Sequence, residues 1–240
     1  MAYSQIIPII GQNQQGYLNT VDVIQREILG TTISSVDNYY GYGEFKYVQF
    51  PASSPITQGQ VVTWSGFGAS LGYVTVVASA AANTGRTIGI AINSVVSSPS
   101  IQYGFIQISG PAVVKTTITL AAGSAVGIDT VTGGSVAANS AGRQVLNAIV
   151  AAPSTNTVIK VATLTNGSPI ITVSDTAGWV PGLTATGTGV SGTILTVDPD
   201  NRRVTLSVNS TASGSSTVTM TYTGFLVLSL NRSFLQGAIT

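Results

Sequence analysis

The sequence predicts an all-β protein: a larger β-barrel or sandwich domain, an N-terminal arm with one short helix candidate, and a second, smaller β-sandwich module. Three observations predict it. From about Glu44 onward, short stretches of period-2 apolar alternation recur between clusters of Gly, Pro, Asn and Ser. Their outward positions carry Thr and Ser rather than charge, as in Thr217-Val218-Thr219-Met220-Thr221-Tyr222-Thr223, which fits half-buried antiparallel strands. Charged residues make up only 7% of the 240-residue chain, against roughly 25% in an ordinary soluble domain.

Residues 1–50 form the arm and an aromatic-rich segment. Asn19 or Thr20 is placed to cap a turn, Asp22 falls in the first turn, and Val21, Ile24 and Ile28 recur at helical spacing. The same zone holds Tyr39, Tyr40, Tyr42, Phe45, Tyr47 and Phe50. Either these rings pack on the protein's own core or they anchor the arm against another subunit, since Tyr is enriched at interface cores.

Residues 51–163 read as the main β domain, with strands near 60–64, 72–78, 87–92, 101–108, 111–117 and 144–151. Ile101, Tyr103 and Phe105 share one parity and Ile106 and Ile108 the other, so this strand carries a bulge or passes from one sheet to another. Residues 164–224 read as a small sandwich of five or six strands, with Val197-Asp198-Pro199-Asp200-Asn201-Arg202-Arg203 as its clearest hairpin turn. In the last segment, 225–240, Phe225-Leu226-Val227-Leu228-Ser229-Leu230 is apolar on both parities. It is expected to return to the larger domain as a central strand or to lie under a partner subunit.

The composition narrows the chemistry. Without histidine there is no imidazole base, no His-containing triad and no His-ligated zinc. Without cysteine there is no disulfide framework, Fe–S cluster or thiol chemistry. Nine scattered basic residues cannot neutralise a run of phosphates, which disfavours nucleic acid as a partner. No run of about 20 apolar residues occurs, so no membrane partner is expected. Ile6-Ile7-Pro8-Ile9-Ile10 is too short for a signal-peptide core and follows no basic residue, so no export signal is expected. Net charge +1 leaves little repulsion between copies. On a surface of roughly 10,000 Å² the few charges leave room for an interface almost anywhere.

Two motifs invite chemical readings. Gly187-Thr188-Gly189-Val190-Ser191-Gly192 matches the dinucleotide fingerprint, but that mechanism needs a helix after the loop, whereas Thr193-Ile194-Leu195-Thr196-Val197 reads as a strand. It is therefore read as a glycine-rich β loop. Asp198, Asp200 and Asn201 imitate part of a calcium loop but lack its Gly and Glu in register, and a hairpin turn accounts for them. No pair of carboxylates stands out for acid–base work. The expectation is a protein without catalytic residues, cofactor or metal.

Several runs carry a family resemblance. Gly43-Glu44-Phe45-Lys46-Tyr47-Val48-Gln49-Phe50-Pro51, Gly59-Gln60-Val61-Val62-Thr63-Trp64 and Gly85-Arg86-Thr87-Ile88-Gly89-Ile90-Ala91 are similar to small β-rich capsid decoration (cement) proteins of tailed bacteriophages. The likeness continues through Tyr103-Gly104-Phe105-Ile106-Gln107-Ile108-Ser109-Gly110 and Ala122-Gly123-Ser124-Ala125-Val126, and so covers about residues 43–150. Residues 164–224 resemble an accessory β module of phage structural proteins. The resemblance implies a virion protein on the outer capsid surface, commonly a homotrimer, with the major capsid protein and its own copies as partners. By bridging coat subunits it would stabilise the shell. Tyr39, Tyr40, Tyr42, Phe45, Tyr47, Phe50, Ile24 and Ile28 are assigned to the capsid or subunit interface, with 164–224 projecting outward. The alternative is a tail- or fibre-associated virion protein that contacts the host surface.

Overall fold

The computed structural model describes residues 4–5, 18, 20–37, 39–64, 72–198 and 200–237. Among them there is no α-helix and there are seventeen strands. In chain order these are β1 Ser4–Gln5, β2 Thr32–Asp37, β3 Gly41–Phe50, β4 Val61–Trp64, β5 Thr75–Val77, β6 Ile88–Ala91, β7 Gln102–Lys115, β8 Ala125–Ile128 and β9 Val136–Ala138. There follow β10 Gln144–Ala152, β11 Thr157–Leu164, β12 Ile170–Val173, β13 Thr184–Gly187, β14 Val190–Asp198, β15 Arg203–Leu206, β16 Gly214–Thr221 and β17 Phe225–Leu235.

Eleven strands form a large sheet whose main path runs β1-β2-β3-β7-β17-β10-β8-β9, with β4, β5 and β6 attached beside β7. Its spine is the antiparallel pair β7 and β17, in register from Phe225 opposite Lys115 to Asn231 opposite Ser109. Phe225–Leu228 of β17 and Phe105–Ile108 and Ala112–Val114 of β7 are buried on both faces. Phe225 and Val227 of β17 enter one core, and Leu226, Leu228 and Leu230 enter another on the opposite side. The doubly apolar run is thus a central strand, flanked by β7 and β10.

β7 carries a bulge, which lies beyond the parity switch at Phe105 and Ile106. Opposite β3, Glu44 pairs with Ser109 and Phe45 with Gln107, which leaves Ile108 unmatched as a bulge. Phe105 faces the first core while Ile106 and Ile108 face a third, beneath β4 and β6. Buried Gln107 ties the bulge together, donating to the carbonyls of Ser109 (3.1 Å) and Pro111 (2.8 Å). Beyond Gly110, at φ +87°, the strand runs against β17 alone.

The smaller unit closes into a six-stranded barrel, β11-β12-β15-β14-β13-β16. The predicted strand number holds. Closure, through β16 pairing with both β11 and β13, replaces two open sheets and removes the free edges. Alternation sets the two sides: Val158, Ala162, Leu164, Val218 and Met220 point in, while Thr217 and Thr219 point out. The fingerprint-like glycine run forms the β13–β14 hairpin, and a strand follows it. At the β14–β15 turn the Asp198 carboxylate accepts from the backbone N–H (3.1 Å) and Nδ2 (2.8 Å) of Asn201. Those bonds, the side-chain one foremost, hold its pKa below the usual carboxylate value.

Trp179 is fully buried in the barrel core, and its indole N–H has no hydrogen-bond partner among the described residues. An unmet buried donor costs about 1–3 kcal/mol. We therefore expect Trp179→Phe to lose less than about 1 kcal/mol in urea unfolding, because losing the donor offsets the lost packing. A loss above about 2 kcal/mol would contradict this offset.

The two units share one continuous core. Phe45, Tyr47, Phe105, Val113 and Val227 of the large sheet lie in the same cluster as Trp179, Leu183, Ile194 and Tyr222 of the smaller unit. The hydroxyls of Tyr40 and Tyr222 are hydrogen bonded across the seam. The Tyr39 ring stacks edge-on to Tyr40 at 5.0 Å and lies 5.7 Å beneath Lys160 Nζ.

Three expectations are corrected here. Residues 20–31 form no helix; Asp22 instead pairs with Tyr103 through two backbone hydrogen bonds. One helical turn is costly to nucleate, and β-branched Val21, Val23 and Ile24 favour the sheet bond. Asn19, the alternative cap, lies outside the described residues. Secondly, residues 32–50 are not an arm, since β2 and β3 are strands of the large sheet. Thirdly, the barrel begins at Thr157 rather than 164, because β11 pairs with β16 along its whole length.

Candidate functional site

The loop from Thr20 to Thr31 is fastened to the large sheet by its backbone. Asp22 N–H donates to Tyr103 O (2.9 Å) and Tyr103 N–H to Asp22 O (2.7 Å). Arg26 N–H donates to the Tyr47 hydroxyl (3.0 Å), and Gly30 N–H to Tyr47 O (2.8 Å). The Asp22 carboxylate accepts from Ile24 N–H and pairs with Arg26, whose side chain is the main reason its pKa lies below the usual range. With polar groups and backbone tied down, the apolar side chains are left outside. Ile24 is 64% exposed, Ile28 80%, and Val23 is exposed as well.

The structure separates the eight residues assigned to an interface. Tyr40, Phe45, Tyr47 and Phe50 are buried in the protein's own cores and present nothing to a partner. Their assignment is withdrawn, because inward parity on β3 puts Phe45 and Tyr47 against the barrel. Tyr39 is partly spent at the seam with Lys160. Tyr42 is exposed, with its hydroxyl 2.8 Å from Ser34 Oγ. It stands five residues along β3 from Tyr47, about 17 Å away at the usual strand rise, and does not join the loop. Ile24 and Ile28 remain.

The same face holds groups the sequence did not single out. The Asp22–Tyr103 bridge brings Val23 and Ile24 beside the stretch that contains exposed Ile101. Between the large sheet and the barrel runs a cleft of about 370 Å³, whose walls include Val21, Asn93, Val96, Gln102, Leu195 and Val197. None of its lining residues is charged. Val96 is 68% exposed and Leu195 53%. Leu195 is turned outward by a bulge in β14, where Ile194 opposes Leu206 and Thr196 opposes Thr205. One signal was available: Ile194-Leu195 puts apolar residues on both parities of the strand, as Val158-Ile159 and Ile170-Ile171 also do in this unit.

Among the described residues no group of three or more carboxylates gathers as a metal site. Nor, among the described residues, is any helix long and apolar enough to cross a membrane. Comparison with protein-family models, curated proteins and solved structures finds no match.

Proposed function

We propose that this chain is a structural virion protein that binds the outer surface of an assembled phage capsid and bridges neighbouring coat subunits. The observation that carries the reading is the fastened loop that presents Val23, Ile24 and Ile28 to solvent beside the Asp22–Arg26 ion pair, in a chain with only 7% charged residues. Exposed apolar groups held by a rigid backbone favour association, since little ordering entropy is lost when they are covered. A protein that binds the expanded shell and not its dissociated subunits stabilises the shell by mass action, and many copies multiply a modest energy per site. A homotrimer at a junction of coat subunits suits this role.

Cosedimentation with expanded capsids tests the proposal. Removing residues 1–42 would also delete β2 and the core residue Tyr40, so point substitutions are cleaner. The double variant Ile24→Asp, Ile28→Asp is expected to bind at least about tenfold more weakly, from the lost burial of two aliphatic side chains. Raising salt from about 0.1 to 0.5 M should change wild-type binding by less than about threefold, because burial rather than ion pairing holds the contact. Undiminished binding by the double variant, or a steep salt dependence, overturns the docking face. Labelling at the tail tip of virions would favour the tail-associated reading.

A further inference from the structure

We propose that the cleft between the large sheet and the barrel is a binding site for a carboxylate carried on a peptide body, with the Lys115 ammonium as its charge partner. The inference is independent of capsid docking. Lys115 ends β7, and its backbone N–H donates to Gly59 O at 2.8 Å, so its Cα is fixed on the spine of the sheet. Its Nζ donates to Thr57 Oγ1 at 2.9 Å. An ammonium has three donors, and this one spends a single one on the protein. The ion pairs among the described residues are Arg26–Asp22, Lys160–Asp175 and Arg232–Glu44, so none of the carboxylates described answers Lys115.

The cation is half-buried, and burial alone lowers its pKa. A partly desolvated cation without a counter-ion is a local cost that an incoming anion removes.

The space in front of Lys115 suits such an anion. A cavity of about 250 Å³ is bounded by Lys115, the hydroxyl residues Thr57, Ser94 and Thr193, and Phe225, with no acidic residue in its walls. It shares Gln58, Ser94, Pro181 and Leu195 with the 370 Å³ cleft, so the two form one groove across the seam. In the cleft wall, Gln102 is 8% exposed and its Oε1 accepts no hydrogen bond from the described residues. A peptide N–H meets that need once the side-chain amide turns into the groove. Val96 and Leu195 offer apolar contact at the rim. One cation matches one carboxylate. A dianionic phosphate would leave a charge unpaired beside low-dielectric walls, which is unfavourable.

The carboxylate can come from a chain terminus or from an acidic side chain, and three probes separate these sources. Side-chain NMR of Lys115 in the full chain is titrated with N-acetyl-Ala-Ala, with its C-terminal amide, and with N-acetyl-Ala-Glu-Ala-amide. A saturable shift is expected with one or both carboxylate peptides, and whichever binds names the source; the simple amide should give none. Titration calorimetry reads the variants: Lys115→Met should weaken binding at least about tenfold, the scale of a charge-assisted hydrogen bond, while Lys115→Arg retains it. The wild-type contrast between acid and amide stands even if a variant folds poorly. Equal response to the amide, no saturation with either acid, undiminished binding by folded Lys115→Met, or tighter binding of inorganic phosphate overturns the site.

Discussion

Gly110→Ala is expected to destabilise the protein by about 3–5 kcal/mol, since left-handed strain and forced overpacking act together. Gly110 has φ +87°, and a Cβ there would lie 2.1 Å from Tyr42 O and 2.9 Å from Gly43 Cα. Both are backbone atoms of β3, so no rotamer change relieves the contact. The position is also where β7 leaves the bulge at Ile108 and takes up register with Leu230 of β17. Any shift therefore moves the spine of the sheet. Gly123→Ala is the control. Gly123 has φ +81° but nothing within 4 Å of the added carbon, so only the conformational cost of about 1–2 kcal/mol applies. Urea midpoints of the two variants make the comparison, and a Gly110→Ala loss no larger than that of Gly123→Ala would contradict the steric account.

Phe225→Ala is the second large effect expected, again about 3–5 kcal/mol. The ring is 7% exposed and lies at the seam, so close to Gly59 and Gly182 that a Cβ on either would approach it to 2.9 and 2.8 Å. Both glycines have positive φ, and together they leave the slot that the ring fills. Because the core runs from one unit into the other, the intact protein should unfold in one transition, with near- and far-UV signals coincident. Emptying the slot weakens the joint more than either interior, so the two signals are expected to separate. Coincident signals with a loss below about 1 kcal/mol would mean that the seam contributes little.

Much of the architecture was legible in local pattern. The run Phe225–Leu230, apolar on both parities, could only be a strand covered on both faces, and it is the centre of the sheet. The switch between Phe105 and Ile106 marked a strand covered on both faces, with Phe105 in one core and Ile106 and Ile108 in another; the bulge that β7 also carries lies further on, at Ile108. The candidate site was legible only in part. Ile24 and Ile28 stood out through a 3.6-residue spacing that proved not to be a helix. Their exposure follows from Asp22 bonding to a residue 81 positions away, which no window along the chain contains. The aromatic segment was visible as a cluster, yet parity alone did not say whether Phe45 and Tyr47 would meet a partner or the barrel.

The sequence by itself determined the all-β class, the sparse charge with hydroxyl-covered strands, and the absence of imidazole and thiol chemistry. These depend on composition and on the spacing of near neighbours, which the chain carries wherever it goes. Tertiary pairing alone decided that the smaller unit closes into a barrel, that four of the eight presumed interface residues are core, and that Lys115 stands beside a groove without a counter-ion among the described residues. Closure, burial and counter-charge are relations between residues from 22 to 225, and distant pairing sets them. A side chain's own chemistry says what it can bind; what it faces depends on which strands have come together.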